Sequence, residues 1–199
     1  MDIVRVIARL ELTERNYLFY SASLGATATI ECFPSLEKKP LCLVLLEPNA
    51  VFDYPQWSLW LIRCFPPFLY PLIKPVAKWY LKHFRTNYKQ DIEMYRINSR
   101  ALDAADPSKL QKAILAISGY QMGEQTNQIS CPVLIVCATK DTFHRSSDIK
   151  CIVSGIKQIT FLDLEIHERT HSHEFVDSVR DYIKTLHEYA AQSNAKSDA

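Results

Sequence analysis

The chain has 199 residues, of which 48% are hydrophobic, so it is long enough to bury the core of one sizeable domain. Its 23 basic and 22 acidic residues leave a formal net charge of +1, which gives no electrostatic footprint for binding nucleic acid or an anionic membrane. Its six cysteines lack CxxC spacing, which indicates a reduced, cytoplasmic protein with neither a disulfide framework nor a zinc site.

The N-terminal residues predict an amphipathic helix. Apolar residues recur at helical spacing from Asp2 to Leu12, and Asp2 is placed to cap the helix. The stretch lacks the long apolar core and the small-residue cleavage site of a secretory signal peptide. We therefore interpret it as a helix and not as a signal peptide.

The stretch YLFYSASLGATATIEC, residues 17–32, predicts a sharp strand-to-helix turn. Tyr17 to Tyr20 is an aromatic and apolar run typical of a buried strand, and Ala26 to Cys32 indicates the start of a helix. Between them Ser23 has small residues two positions before and two positions after it, which a nucleophile elbow requires because larger side chains would collide with backbone. The alternative is an ordinary turn in which Ser23 caps the helix.

With this motif the chain resembles the α/β-hydrolase family, and the resemblance extends over nearly its whole length. The resemblance implies a three-layer α/β fold with a mostly parallel sheet, and a serine, an acid and a histidine in that chain order at the carboxyl edge of the sheet. It implies Ser23 as the nucleophile and the backbone N–H of Leu24 as an oxyanion donor. Since the chain has only 4 glycines, we also expect Gly25 to satisfy a backbone demand of the turn.

The family's first strands, and the loop that supplies its second oxyanion donor, have no counterpart in this sequence. The resemblance therefore implies an N-terminally truncated core. The strand that begins at Tyr17 would then have an unpaired edge, through which we expect possible self-association.

A second strand is predicted from Pro40 to Pro48, a continuous apolar run bounded by prolines. Such runs are typical of a central parallel strand that is buried on both faces. Together with the turn at Ser23 it predicts a βαβ unit.

Residues 51–127 predict helices and are rich in aromatic residues. Their most apolar part, from Trp57 to Ile73, is interrupted by Arg63 and by internal prolines well short of the roughly 20 apolar residues that cross a bilayer, so no transmembrane segment is expected. A further helix is predicted to begin at Asp106, with Pro107 in its first turn.

In the α/β-hydrolase family a helical insertion of this kind forms a cap over the active site. The resemblance implies a hydrolase core of residues 1–50 and 128–191, with residues 51–127 as the cap; alternatively, these helices only cover one face of the sheet. The aromatic block suggests the lining of an apolar substrate pocket. The candidate lining residues are Trp57, Trp60, Phe65 and Phe68.

The run from Ile129 to Asp141 is a proline-led apolar strand that ends in small residues and an aspartate. It resembles the strand that delivers the catalytic acid in the family. The resemblance implies that Asp141 orients the histidine and stabilises the imidazolium, whereas the alternative is a turn or helix-cap aspartate.

The last strand is predicted from Ile159 to Ile166, and an amphipathic helix follows after residue 173. The family's catalytic histidine lies in the intervening loop, where this chain has His167, His171 and His173. His171 follows a small residue and fits best, and His167 and His173 remain alternatives. Residues 192–199 are small and polar and are expected to form a disordered tail.

A metal site is the rival interpretation of this histidine cluster. Histidines four residues apart on a helix share a face, and Glu168 is a nearby carboxylate that suits zinc. The triad is favoured because it also accounts for Ser23 and Asp141, so neither a metal nor a cofactor is expected.

The sequence thus predicts a serine hydrolase for carboxylic esters or thioesters with an apolar moiety, acting on a small-molecule substrate. Two alternatives stay open at this point. An acyltransferase would use the same triad with an alcohol or thiol in place of water, and a catalytically impaired relative would only bind a small ligand or a partner.

Overall fold

Six strands and seven helices are described in the computed structural model of the chain, which covers residues 2–13, 16–85, 92–137, 149, 152–165 and 172–197. The strands are β1 (Phe19–Ala22), β2 (Leu43–Leu46), β3 (Val51–Phe52), β4 (Tyr120–Gln121), β5 (Val133–Cys137) and β6 (Ile159–Asp163). The helices are α1 (Asp2–Arg9), α2 (Leu24–Cys32), α3 (Gln56–Cys64), α4 (Tyr70–Tyr80), α5 (Ile92–Ala104), α6 (Pro107–Ile117) and α7 (His173–Ser197). Short 3-10 turns lie at Phe33–Ser35, Pro67–Leu69 and Glu124–Gln128, and Leu81–Arg85 forms a π-helical turn.

The chain forms two units. One consists of Met1–Ala50 and Met122–Ala199, and the other of Val51–Gln121. We describe each unit by itself.

A four-stranded parallel sheet in the order β1-β2-β5-β6 is the centre of the first unit. Each strand pairs in register with its neighbour near its carboxyl end, as Ala22 with Leu46, Leu46 with Val136, and Cys137 with Asp163. The predicted α/β class with a parallel sheet is confirmed. All four carboxyl ends therefore meet at one edge, where α/β proteins place their ligand sites.

The two inner strands are buried at every residue, which explains why their sequences are continuous apolar runs without alternation. Side chains on one face of the sheet pack against α7, and Phe175 of that helix is buried among them. This cluster consists of Cys42, Val44, Leu46, Leu134, Val136, Leu164 and Phe175. Cys42 and Cys137 are both buried.

β1 and β6 are the outer strands of the described sheet. β6 mixes half-buried and exposed residues, as its sequence predicts for an edge strand. β1 exposes every second residue, among them Tyr20. Self-association through β1 stays a prediction.

The start of α6 agrees with the prediction from sequence, whereas the end of α7 does not. Asp106 caps α6 as predicted, because its Oδ1 accepts a hydrogen bond of 3.0 Å from the backbone N–H of Lys109. α7, in contrast, extends to Ser197, through most of the predicted disordered tail. Its last residues include alanine, glutamine and lysine, which favour helix, and no proline or glycine ends the helix earlier.

The second unit consists of α3–α6 with the antiparallel pair β3 and β4. Gln111 of α6 donates hydrogen bonds from Nε2 to the carbonyl oxygens of Ile62 and Phe65, at the end of α3. Lys74 and Lys78 of α4 form ion pairs with Asp103 of α5, with shortest N–O distances of 3.5 and 2.7 Å. These polar contacts connect α3 to α6 and α4 to α5.

Across the described residues, no helix is long and apolar enough to cross a membrane.

Candidate active site

Ser23 occupies a strained turn between β1 and α2. Its backbone dihedrals are φ 49° and ψ −121°, in a region that residues with a Cβ rarely adopt. Such conformations cost about 1–3 kcal/mol and persist only where the surrounding structure enforces them. Here the Ser23 N–H donates to the carbonyl oxygen of Leu46 over 2.8 Å, which continues the β1–β2 pairing through the turn.

The Ser23 side chain does not cap α2. Its hydroxyl forms no hydrogen bond with the N–H groups of the first helical turn, although serine is a favoured residue for that role. The side chain is exposed, and its Oγ accepts a hydrogen bond from Nδ2 of Asn49 over 3.0 Å. Because the hydroxyl is bonded as an acceptor, its proton remains available to a base.

Gly25 does not satisfy a special backbone demand of the turn, contrary to the expectation from sequence. Its φ is not positive, and a Cβ built on it would lie 3.9 Å from Cβ of Ser21, which is ordinary van der Waals contact. The strain of the turn falls on Ser23 itself. The small size of Ser21 still matters, because its side chain is what a larger residue at position 25 would meet.

The start of α2 offers N–H groups beside the Ser23 hydroxyl. The first residues of a helix have no intrahelical acceptor for their N–H groups, and the helix dipole adds partial positive charge there. α2 carries no acidic side chain in its first turn that would offset this charge. Leu24, the predicted oxyanion donor, is the first residue of the helix.

The predicted acid and two of the predicted histidines lie outside the described residues. These are Asp141, His167 and His171. The strands that precede them are described: β5 ends at Cys137 and β6 at Asp163, both at the edge where β1 ends. The chain thus enters both segments from the sheet edge that carries Ser23.

The third histidine, His173, is the first residue of α7 and is exposed. Ser172 precedes it, and its Oγ accepts a hydrogen bond of 3.2 Å from the N–H of Phe175. The Phe175 ring lies 5.9 Å from the ring of Tyr20 in β1, centroid to centroid. The residues that follow the histidine segment therefore pack beside the strand that leads to Ser23.

Sequence reasoning did not identify Asn49 or Glu47, which follow β2 at the same edge. Asn49 is 26 residues from Ser23 in the chain, and no motif announces the contact. Thr27 of α2 fixes Asn49 in place, because its Oγ1 donates to the Asn49 carbonyl oxygen over 2.8 Å. Glu47 is buried with a φ of 46°, and its N–H donates to the carbonyl oxygen of Val136 over 2.9 Å.

Negative charge collects near the end of β5. Burial and, to a smaller extent, the nearby carboxylates of Asp163 and Glu47 raise the pKa of the Cys137 thiol to about 11. The thiol thus stays protonated and unreactive.

The aromatic residues predicted to line a substrate pocket divide into two groups. Phe65 lines a cavity of about 410 Å³ inside the second unit, whereas Trp57, Trp60 and Phe68 are exposed. The cavity walls are otherwise almost all aliphatic or aromatic, with Gln111 as the polar exception. The lining residues are Leu61, Ile62, Phe65, Pro67, Tyr70, Ile73, Pro107, Leu110, Gln111 and Ile114.

Within the ranges that the structure describes, no three histidine, cysteine or acidic residues converge on a possible metal site. Glu168 and two histidines of the rival metal interpretation lie outside those ranges.

No protein-family model and no curated protein matches the sequence. Solved structures are similar in fold. An enol-lactonase from Burkholderia xenovorans LB400 has a TM-score of 0.64 at 14% identity, over 93% of this chain and 70% of that chain. A bromoperoxidase from Bacillus anthracis has a TM-score of 0.68 at 14% identity, over 92% and 72%. An esterase from Exiguobacterium antarcticum has a TM-score of 0.61 at 17% identity, over 94% and 70%.

These enzymes share the α/β-hydrolase fold. The similarity extends over 92% to 94% of this chain in the three comparisons. The chain has the α/β-hydrolase fold.

Proposed function

We propose that the chain hydrolyses carboxylic esters or thioesters with an apolar acyl or alcohol part. Ser23 is the nucleophile, His171 the general base and Asp141 the residue that orients the imidazole. The single observation that carries the proposal is the backbone of Ser23, with φ 49° at the end of β1 and a hydroxyl that does not cap α2. The strained backbone of Ser23 lowers the stability of the fold. A nucleophilic role accounts for this conformation, because it exposes the hydroxyl at a helix N-terminus for attack on a carbonyl.

The reaction proceeds in two steps. Ser23 Oγ attacks the carbonyl carbon while its proton passes to His171, and the oxyanion accepts a hydrogen bond from the Leu24 N–H. The intermediate then collapses, and the alcohol or thiol leaves with the proton from His171. Water, deprotonated by His171, attacks the acyl-enzyme and releases the acid and free Ser23.

Asn49 supports this role for Ser23. Its Nδ2 donates to Oγ, which holds the hydroxyl in one rotamer and directs the O–H proton away from the amide. The negative charge of the reaction develops on the substrate carbonyl oxygen, so the contribution of Asn49 is to orient Oγ for attack.

An apolar substrate class is supported by the cavity of the second unit. A pocket with walls of hydrocarbon and a single amide binds apolar groups better than polar ones. A cap role for residues 51–127 is part of the same proposal.

The test is hydrolysis of dissolved p-nitrophenyl butyrate by the wild-type chain and by matched variants. Ser23→Ala, Asp141→Asn and His171→Ala should each lower kcat/KM by about a thousandfold or more. His167→Ala and His173→Ala serve as controls and should retain activity near that of the wild type. A folded wild-type chain without esterase activity would reject the hydrolase and leave a binding function.

A further inference from the structure

All three tryptophans of the chain lie in one short part of the second unit, and all three are exposed. Trp57 and Trp60 of α3 are 68% and 64% exposed, and Trp79 of α4 is 55% exposed. Tryptophan has a large apolar surface that globular proteins normally bury at least in part. Three exposed tryptophans so close in sequence point to a function.

Further exposed apolar side chains extend this surface. Leu72, Val76 and Trp79 are spaced by four and three residues, so they share one face of α4, and Phe68 precedes that helix with 77% exposure. Leu61 of α3 and Ile73 of α4 are exposed and also line the same cavity. Both helices therefore border this cavity, and both expose apolar side chains. We call Trp57, Trp60, Phe68, Leu72, Val76 and Trp79 the tryptophan face.

The charge of this region differs from that of the whole chain. Between Asp53 and Asp91 there is no acidic residue, whereas the segment contains six basic ones: Arg63, Lys74, Lys78, Lys82, Arg85 and Lys89. The formal net charge of +1 for the whole chain therefore hides a basic segment. Lys74 and Lys78 share the one carboxylate of Asp103, which leaves an excess of positive charge, and Arg63 is exposed on α3.

We propose that the tryptophan face docks on an anionic lipid surface. Exposed tryptophan and aliphatic side chains enter the interfacial region of a bilayer, where the indole N–H stays hydrated, and nearby basic residues attract anionic headgroups. The helices lie on such a surface and do not cross it, in keeping with the lack of a long apolar helix among the described residues. This inference is independent of the esterase activity.

The test uses vesicles of phosphatidylcholine and phosphatidylserine in equal amounts, with pure phosphatidylcholine vesicles for comparison. The wild-type chain should sediment with the anionic vesicles, and less with the neutral ones or at high salt. Because every tryptophan lies in the tryptophan face, binding should shift the intrinsic fluorescence to shorter wavelength, and brominated lipid should quench it.

A double variant with a matched control tests the surface itself. Leu72→Glu combined with Val76→Glu should lower vesicle partitioning by about tenfold or more, since it removes two apolar contacts and adds two negative charges. Ile97→Glu, at a residue of α5 that is 52% exposed, should change partitioning by no more than about twofold. Trp57→Ser with Trp60→Ser provides a second, uncharged variant of the tryptophan face, and circular dichroism verifies the fold of each.

The proposal is overturned if the folded wild-type chain does not bind the anionic vesicles, or if both tryptophan-face variants bind as the wild type does. A lipid-free dimer that Leu72→Glu with Val76→Glu dissociates would show instead that a second copy covers this surface. Hydrolysis of dissolved p-nitrophenyl butyrate by the variant with Leu72→Glu and Val76→Glu should not change.

Discussion

Asn49 donates a hydrogen bond from Nδ2 to Oγ of Ser23 over 3.0 Å and so joins the end of β2 to the turn after β1. Thr27 fixes the Asn49 backbone, because its Oγ1 donates to the Asn49 carbonyl oxygen. Ser23, Asn49 and Thr27 therefore form a small polar network at the carboxyl edge of the sheet. This network decides the orientation of the hydroxyl that we propose as the nucleophile.

Replacing Asn49 tests that network. Asn49→Ala removes the donor to Oγ and should lower kcat on p-nitrophenyl butyrate by about tenfold, with little change in KM, since the donor orients the nucleophile for attack. Asn98→Ala, on α5, is the control and should be neutral. A rise in KM at constant kcat would assign Asn49 to substrate binding instead.

The backbone strain at Ser23 predicts that the native serine lowers the stability of the fold. Ser23→Gly removes the Cβ that makes φ 49° unfavourable and should raise the free energy of unfolding by about 1 kcal/mol over Ser23→Ala, after the entropic cost of glycine is subtracted. Both variants should be inactive. Urea unfolding of the pair measures the difference, and equal stabilities would mean that the turn carries no strain.

The contacts of Gln111 predict a role in holding the second unit together. Gln111→Leu leaves the carbonyl oxygens of Ile62 and Phe65 without its amide and should lower the free energy of unfolding by about 1–3 kcal/mol. Gln56→Leu, at an exposed position at the start of α3, is the matched control. Thermal unfolding of both variants tests this, and the two midpoints should differ by several degrees.

The buried cysteines predict a loss of stability at alkaline pH. Burial and, to a smaller extent, the thiolate that Cys42 forms at high pH raise the pKa of the Cys131 thiol to about 12, from 9.0 for an unperturbed thiol. Because the folded pKa is the higher one, the stabilisation is complete below pH 9 and is lost as the pH rises towards 12. The urea midpoint should therefore fall over this range, and less so for Cys131→Ala.

Alkylation at pH 8 gives an independent measure of the burial of each cysteine. Cys64 is exposed and should react with iodoacetamide in the folded chain, whereas Cys42, Cys131 and Cys137 are buried and should react only after unfolding. Rapid labelling of Cys131 in the folded chain would contradict the burial that underlies the pH prediction.

The sequence predicted the elements whose pattern is local. β2 and β5 stand out because a strand with neighbours on both sides is apolar at every position. Asp106 followed by Pro107 marks the start of α6 in the same local way. The turn at Ser23 was recognisable from the small residues two positions before and after the serine, although a Cβ at Gly25 would make only ordinary contact in the structure.

The contacts that complete the candidate site could not be predicted, because they depend on how distant segments meet. Asn49 reaches Ser23 only because β2 pairs with β1 in parallel. Glu47 is buried because β5 lies beside β2, and a glutamate at the end of an apolar run gives no sign of it. The exposure of Trp57 and Trp60 could not be predicted either, since an amphipathic pattern does not show which apolar face stays uncovered.

The central claim is that Ser23 is an activated nucleophile, and covalent labelling tests it most directly. The folded chain is incubated with a fluorophosphonate probe, and the adduct is located by mass spectrometry of peptides, with Ser23→Ala as the control. We predict one adduct, on Ser23, that forms in the wild-type chain and is absent from Ser23→Ala. A folded wild-type chain that takes up no probe, or takes it up on another serine, would contradict the claim.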